Sequence, residues 1–169
     1  MWRCGCIAIL PLLLAAPVAA QDGSGCDKFA WSLVTVQAQF AAPNIATVSA
    51  GTELSSVPTQ AFVLRLQPSA DAKFILPPER PLKNDNSFGG AVTFPTIERS
   101  GIYQITLSED AWLDIIQNGQ FARSVGSSGR RDCPGLRKSV RLELAKAPFV
   151  LQLSGVSSDS VKVSVIQVQ

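Results

Sequence analysis

The chain has 169 residues, 46% of them hydrophobic, with 15 basic and 13 acidic side chains and no histidine. A charge this close to balance gives no electrostatic case for bulk nucleic-acid binding or for adhesion to a membrane surface. The missing imidazole excludes Ser-His-Asp and Cys-His nucleophile activation, histidine zinc sites and histidine general bases.

The first twenty residues read as an export leader. Arg3 supplies a positive charge, Ile7 to Leu14 form a short apolar run broken only by Pro11, and Val18-Ala19-Ala20 gives a small-residue cleavage site, with Gln21 as the expected mature start. The apolar stretch is too short to span a bilayer comfortably, and no later run is long enough. Cys4 and Cys6 precede the apolar core, so they do not fit a lipid attachment site. The expected mature form therefore has no membrane span and resides in the periplasm or outside the cell. Without Arg3 the 15 basic residues become 14, against 13 acidic ones. Residues 21–169 are the size of one domain and can bury a real core.

In 27–41, Phe29, Leu33, Val36 and Phe40 recur at helical spacing, with Asp27 as an N-cap and Pro43 as a stop. The run Val34-Thr35-Val36 favours a strand there, so helix and strand both stay open. From residue 60 the period changes to two. Phe62, Leu64 and Leu66 oppose Arg65 and Gln67; Tyr103, Ile105 and Leu107 oppose Gln104 and Thr106. The same alternation recurs at Val140, Leu142 and Leu144, at Phe149, Leu151 and Leu153, and at Val161, Val163 and Val165. Lys73–Leu76 and Ala91–Phe94 are weaker strands, and Trp112–Ile116 is joined to Phe121–Arg123 by an Asn118-Gly119 hairpin turn. Pro77-Pro78 and Pro81 impose an extended loop through Asn86, after which Gly89-Gly90 restarts the chain. Short turns at 146–148 and 157–159 separate the last three strands. Many short strands without long intervening helices predict an all-β fold: an antiparallel β-sandwich of jelly-roll or immunoglobulin-like size with a short N-terminal helix.

Cys26 and Cys133 survive leader removal, and an oxidising compartment favours their pairing. No Cys-x-x-Cys is present, so the pair reads as structural rather than as a thiol-redox centre.

The stretch Gly101-Ile102-Tyr103-Gln104-Ile105-Thr106-Leu107, then Ala111 to Ile115, then Val140 to Val168, resembles bacterial pre-peptidase C-terminal-type β-sandwich domains. The resemblance covers residues 100–168 and implies an accessory module of secreted proteins that binds or chaperones. The whole chain also resembles a group of small exported proteins of alphaproteobacteria, relatives of which are sometimes assigned homogentisate dioxygenase activity. The residues contradict that activity, because an iron oxygenase of that kind needs histidine ligands and the chain has none.

Little else carries chemistry. A serine enzyme would need lysine as its base, and no Ser-x-x-Lys is present. Tyr103, the single tyrosine, falls on the inward face of its strand. Glu109, Asp110 and Asp114 cluster around 107–114, with Glu98 nearby, where a carboxylate pair could run glycoside hydrolysis or hold calcium. Acids at a strand turn are more commonly plain solvated side chains. The densest feature is basic: Arg123, Arg130, Arg131, Arg137, Lys138 and Arg141 fall within 123–141, with Asp132 the one acid. Ser127, Ser128 and Gly129 make that loop pliable. Arginine forks suit phosphate and carboxylate, so the loop could grip an anionic envelope glycan or an acidic protein. The plainer alternative is a solvated loop paired to Asp132 and Glu143. Trp112 falls on the face opposite Ala111, Leu113 and Ile115, either exposed for stacking or buried in a central strand. Together these features predict a non-catalytic, exported binding module that needs no cofactor and no metal.

Overall fold

The structure, a computed structural model, describes residues 1, 25–82 and 86–168. Residues 2–24, which carry the expected leader and its cleavage site after Ala20, lie outside the described residues. Two sheets pack face to face. The larger has the order β1(Ala46–Ser49), β2(Phe62–Arg65), β11(Ser160–Gln167), β5(Gly101–Leu107), β9(Lys138–Leu144), β8(Ser124–Gly129). The smaller has the order β3(Gln67–Pro68), β4(Phe88–Phe94), β10(Phe149–Val156), β6(Trp112–Gln117), β7(Gln120–Phe121). All pairings between named strands are antiparallel except β1 with β2. The chain is an all-β sandwich with one short α-helix, α1(Val34–Ala41).

The alternating apolar residues meet between the sheets as read from the sequence. Phe62, Leu64, Tyr103, Ile105, Leu107, Leu142, Leu144, Phe149, Leu151, Leu153, Val161 and Val163 belong to one buried cluster. Phe94 and Phe149 stack at 4.4 Å between ring centroids. The Asn118-Gly119 turn joins β6 to β7 with positive φ at both residues, 54° and 75°. Such a turn matches the strand twist, which is why it closes a two-residue hairpin.

Four expectations are corrected. The helix spans Val34–Ala41 alone, and Asp27 lies in a separate 3-10 turn, Gly25–Lys28. Eight residues with β-branched Val34, Thr35 and Val36 would not hold a helix unaided. What holds it is tertiary burial: Phe29, Leu33, Val36 and Phe40 pack with Ala61, Cys133 and Leu136 in a second cluster. Lys73–Leu76 is not a strand but part of a strap over the smaller sheet. The pliable loop after the hairpin is β8, whose serines and glycines pair along β9. Last, Asp114 is not a solvated acid but buried, and so are the outward polar strand residues Gln104, Thr106, Ser139, Ser164, Gln152 and Ser154. Each sheet carries a second cover. The 25–42 segment lies on the larger sheet, where Ser164 Oγ meets Gln39 Oε1 at 2.9 Å and Lys162 Nζ donates to Phe40 O. The strap lies on the smaller sheet, where Gln152 accepts from Ile75 N at 2.8 Å and donates to Leu76 O at 2.9 Å.

Cys26 and Cys133 form a disulfide across a sequence separation of 107 residues, with Cα atoms 4.7 Å apart. It pins the N-terminal cover to the 130–137 segment, where Gly25 N also donates to Asp132 O at 3.2 Å. In the chain-entropy model a loop of about a hundred residues contributes about 4–5 kcal/mol.

Candidate functional site

At one end of the sandwich β8 and β10 finish while β6 and β9 begin, and a cleft of about 670 Å³ opens between these ends and the strap. Ser127, Ser128 and Gly129 of β8 form one wall, with Arg130, Arg131, Arg137 and Lys138 beside them. Ala111 and Trp112 at the start of β6, and Ser154 to Ser157 at the end of β10, form another. Arg80, Pro81 and Leu82 of the strap close the third side. Of the basic run, four residues therefore meet at the cleft. Arg123 does not line it, standing exposed between β7 and β8. Arg141 is drawn away to the outer face of the larger sheet, its guanidinium 4.2 Å from the Trp31 ring and its Nε donating to Gln104 Oε1 at 3.1 Å. Arg80, far off in sequence and flanked by prolines, takes their place.

Trp112 is half-buried, so neither alternative for it holds in full. Its Nε1 donates to Asp114 Oδ1 at 2.7 Å. Its ring carries two cations, Lys138 Nζ at 5.2 Å and Arg80 Cζ at 5.5 Å from the centroid. An indole holds cations by its quadrupole, so Trp112 orients positive charge at the cleft. Lys138 also donates to Ala111 O at 2.9 Å. Burial pushes its ammonium below the ordinary lysine range; Asp110 and Asp114 oppose that shift, and Arg80 adds to it.

Of the three acids, Asp114 has a structural role. Asp114 is 3% exposed and both its oxygens are engaged, Oδ1 by Trp112 and Oδ2 by Glu79 N at 3.2 Å. That carboxylate ties the strap to β6. Asp110 lines the cleft, and Glu109 does not. Among the described residues no three His, Cys, Asp or Glu side chains gather as a metal site.

The alternative of a solvated loop paired to Asp132 and Glu143 forms in part: Arg131, Asp132, Pro134 and Gly135 are exposed and Asp132 makes a salt bridge, though not with an arginine. Asp132 pairs with Lys28 at 3.4 Å, with both side chains more than half exposed. Its own backbone amide, more than that lysine, holds the Asp132 carboxyl below its ordinary range. Arg130 donates to Gly129 O at 3.2 Å and to Lys28 O; Arg137 donates to Arg131 O and to Cys133 O at 3.4 Å. These bonds brace the loop through carbonyls and leave its arginines without a close ion pair, although Asp132 acts on Arg130 at longer range, as Asp110 and Asp114 act on Lys138. Among the described residues no carboxylate lies within 4 Å of Arg80, Arg130, Arg131, Arg137 or Lys138. Five cations and one acid, Asp110, line the cleft among the described residues.

Two of its residues escaped sequence reading. Ser154 looks like any outward strand serine, and Arg80 stands alone between prolines. The Pro77-Pro78-Glu79-Arg80-Pro81 run was the available signal, since a stiff segment can hold a side chain in place. Compared with protein-family models, with curated proteins and with solved structures, the chain matches none.

Proposed function

We propose that this protein is an exported, non-catalytic binding module of the cell envelope, in the periplasm or outside the cell, that takes an anionic glycan in the cleft between β8, β9, β6 and the strap. The observation that carries this reading is the unpaired cation cluster: Arg80, Arg130, Arg131, Arg137 and Lys138 share one cleft without an ion pair to any described carboxylate. Guanidinium forks recognise planar and tetrahedral oxyanions by two parallel hydrogen bonds. Cations crowded against one another repel, and an anionic ligand relieves that repulsion. The Cys26–Cys133 disulfide supports an oxidising compartment, as the leader reading requires. An accessory binding role is also what the resemblance to pre-peptidase C-terminal-type domains implies.

The test is retention of the purified protein on immobilised lipopolysaccharide and on polygalacturonate at rising salt, beside Arg130→Ala/Arg131→Ala. Binding that weakens with salt and is lost in the double variant is expected. Retention that ignores both salt and the substitutions would remove the cleft as the contact surface.

A further inference from the structure

Two buried side-chain atoms in the described residues lack a hydrogen-bond partner, Ser154 Oγ and Arg130 Nε. Both residues line the same cleft. Buried polar groups are nearly always satisfied, so two unmet donors on residues that line one cleft, one of them a serine only 1% exposed, point to an acceptor that enters there. The local backbone beside the serine is irregular. The β10–β4 register shifts between Leu153 and Val156, and Gly155 takes φ +69°, a conformation side-chain-bearing residues rarely adopt. Bulges of this kind re-aim side chains beside sites.

Resting on the anion-binding reading of this cleft, we infer that it holds a phosphate group, as a sugar phosphomonoester or as the free ion, with Ser154 Oγ and Arg130 Nε donating to its oxygens. The charge balance selects phosphate over a uronate. A carboxylate offers two oxygens and one negative charge, whereas a phosphomonoester offers three terminal oxygens and about −1.5 to −2 charge at neutral pH. Among the described residues five cations line the cleft with Asp110, and Asp114 and Asp132 act on Lys138 and Arg130 from beside it, so five positive charges less three negative ones leave two, which match the larger charge. Lys138 fits as the compact partner: its half-buried ammonium already pays a desolvation cost that a neighbouring anion offsets.

Calorimetric titration with glucose 6-phosphate, inorganic phosphate and glucuronate at fixed ionic strength decides it. The phosphates are expected to bind at least tenfold more tightly than glucuronate. Ser154→Ala is expected to weaken glucose 6-phosphate binding about tenfold, the size of one hydrogen bond to a charged group, without lowering the urea midpoint. Arg130→Gln should weaken it at least as much. Inorganic phosphate binding as tightly as glucose 6-phosphate supports the site and makes the free ion its occupant; much weaker binding assigns it to a sugar phosphate. Equal affinity for glucuronate, or full affinity in both variants, overturns the inference. Polygalacturonate retained by the cleft with no phosphate binding sinks the phosphate site alone, while no anion bound at all sinks the cleft reading with it.

Discussion

The two outer faces of the sandwich are made from the same parts and end differently. On the larger sheet Trp31 carries Arg141; on the smaller Trp112 carries Lys138 and Arg80. Both indoles donate to a buried polar side chain, Trp31 to Ser139 Oγ at 3.0 Å and Trp112 to Asp114 Oδ1. Among the described residues no buried polar side-chain atom beneath Trp31 is left without a partner. Ser139 shares a 2.9 Å bond with Thr106, Arg141 reaches Gln104, and Ser128 Oγ accepts from Ala30 N at 3.0 Å. The Trp31 ring lies over Gly126, where a Cβ would meet it at an ordinary contact distance of 3.4 Å. Beside Trp112 the network stops short, with Ser154 Oγ unpartnered and the cations without a close ion pair to any described carboxylate. A closed polar network is scaffold, and an incomplete one is a place for something else to bind.

The strongest way to break this comparison is at the clamp of the closed side. Cys26→Ser with Cys133→Ser should lower the unfolding free energy by about 4–5 kcal/mol in urea denaturation. A loss below about 1 kcal/mol would mean that the cover holds without it. Next come the indoles. Trp112→Phe strips a hydrogen bond from a buried carboxylate and should cost about 1.5–3 kcal/mol, whereas Trp31→Phe leaves Ser139 its bond to Thr106 and should cost about 1 kcal/mol. The reverse order would contradict the roles given to the two rings. The serines sharpen the contrast: Ser139→Ala should destabilise by about 1 kcal/mol, while Ser154→Ala should be neutral or slightly stabilising without ligand.

The smallest effects are in pH dependence. Burial lowers the Lys138 pKa, so the unfolded chain binds that proton more tightly. Stability therefore rises with pH between the depressed folded value and the unfolded value of about 10.5, and Lys138→Gln should flatten that rise. Tyr103, in the core between the sheets, has the opposite sign. Burial raises its pKa, with Arg99 opposing and Glu98 reinforcing, so its contribution is present below pH 10 and lost above. As the single tyrosine, it can be followed by tyrosinate absorbance; a midpoint at or below 10 would show an exposed hydroxyl.

What the amino-acid sequence determined by itself is the inner surface. A period of two in Phe62–Leu66, Tyr103–Leu107, Val140–Leu144, Phe149–Leu153 and Val161–Val165 dictates which residues face each other, because a strand's side chains must alternate. The Asn118-Gly119 hairpin was equally legible, being local backbone chemistry. The disulfide followed from having two cysteines in an expected oxidising compartment. Tertiary structure decided the outer surface. Alternation separates the two faces of a sheet without stating whether the second is wet, so the burial of Gln104, Thr106, Gln152 and Ser154 depended on where residues 25–42 and 74–82 came to rest. β8 was hidden for a related reason: Ser124–Gly129 has no strand propensity of its own and becomes a strand by pairing with β9. The basic run announced positive charge, but only folding sent Arg141 to Trp31 and brought Arg80 in beside Lys138. Charge is a property of residues, whereas its compensation depends on which residues become neighbours.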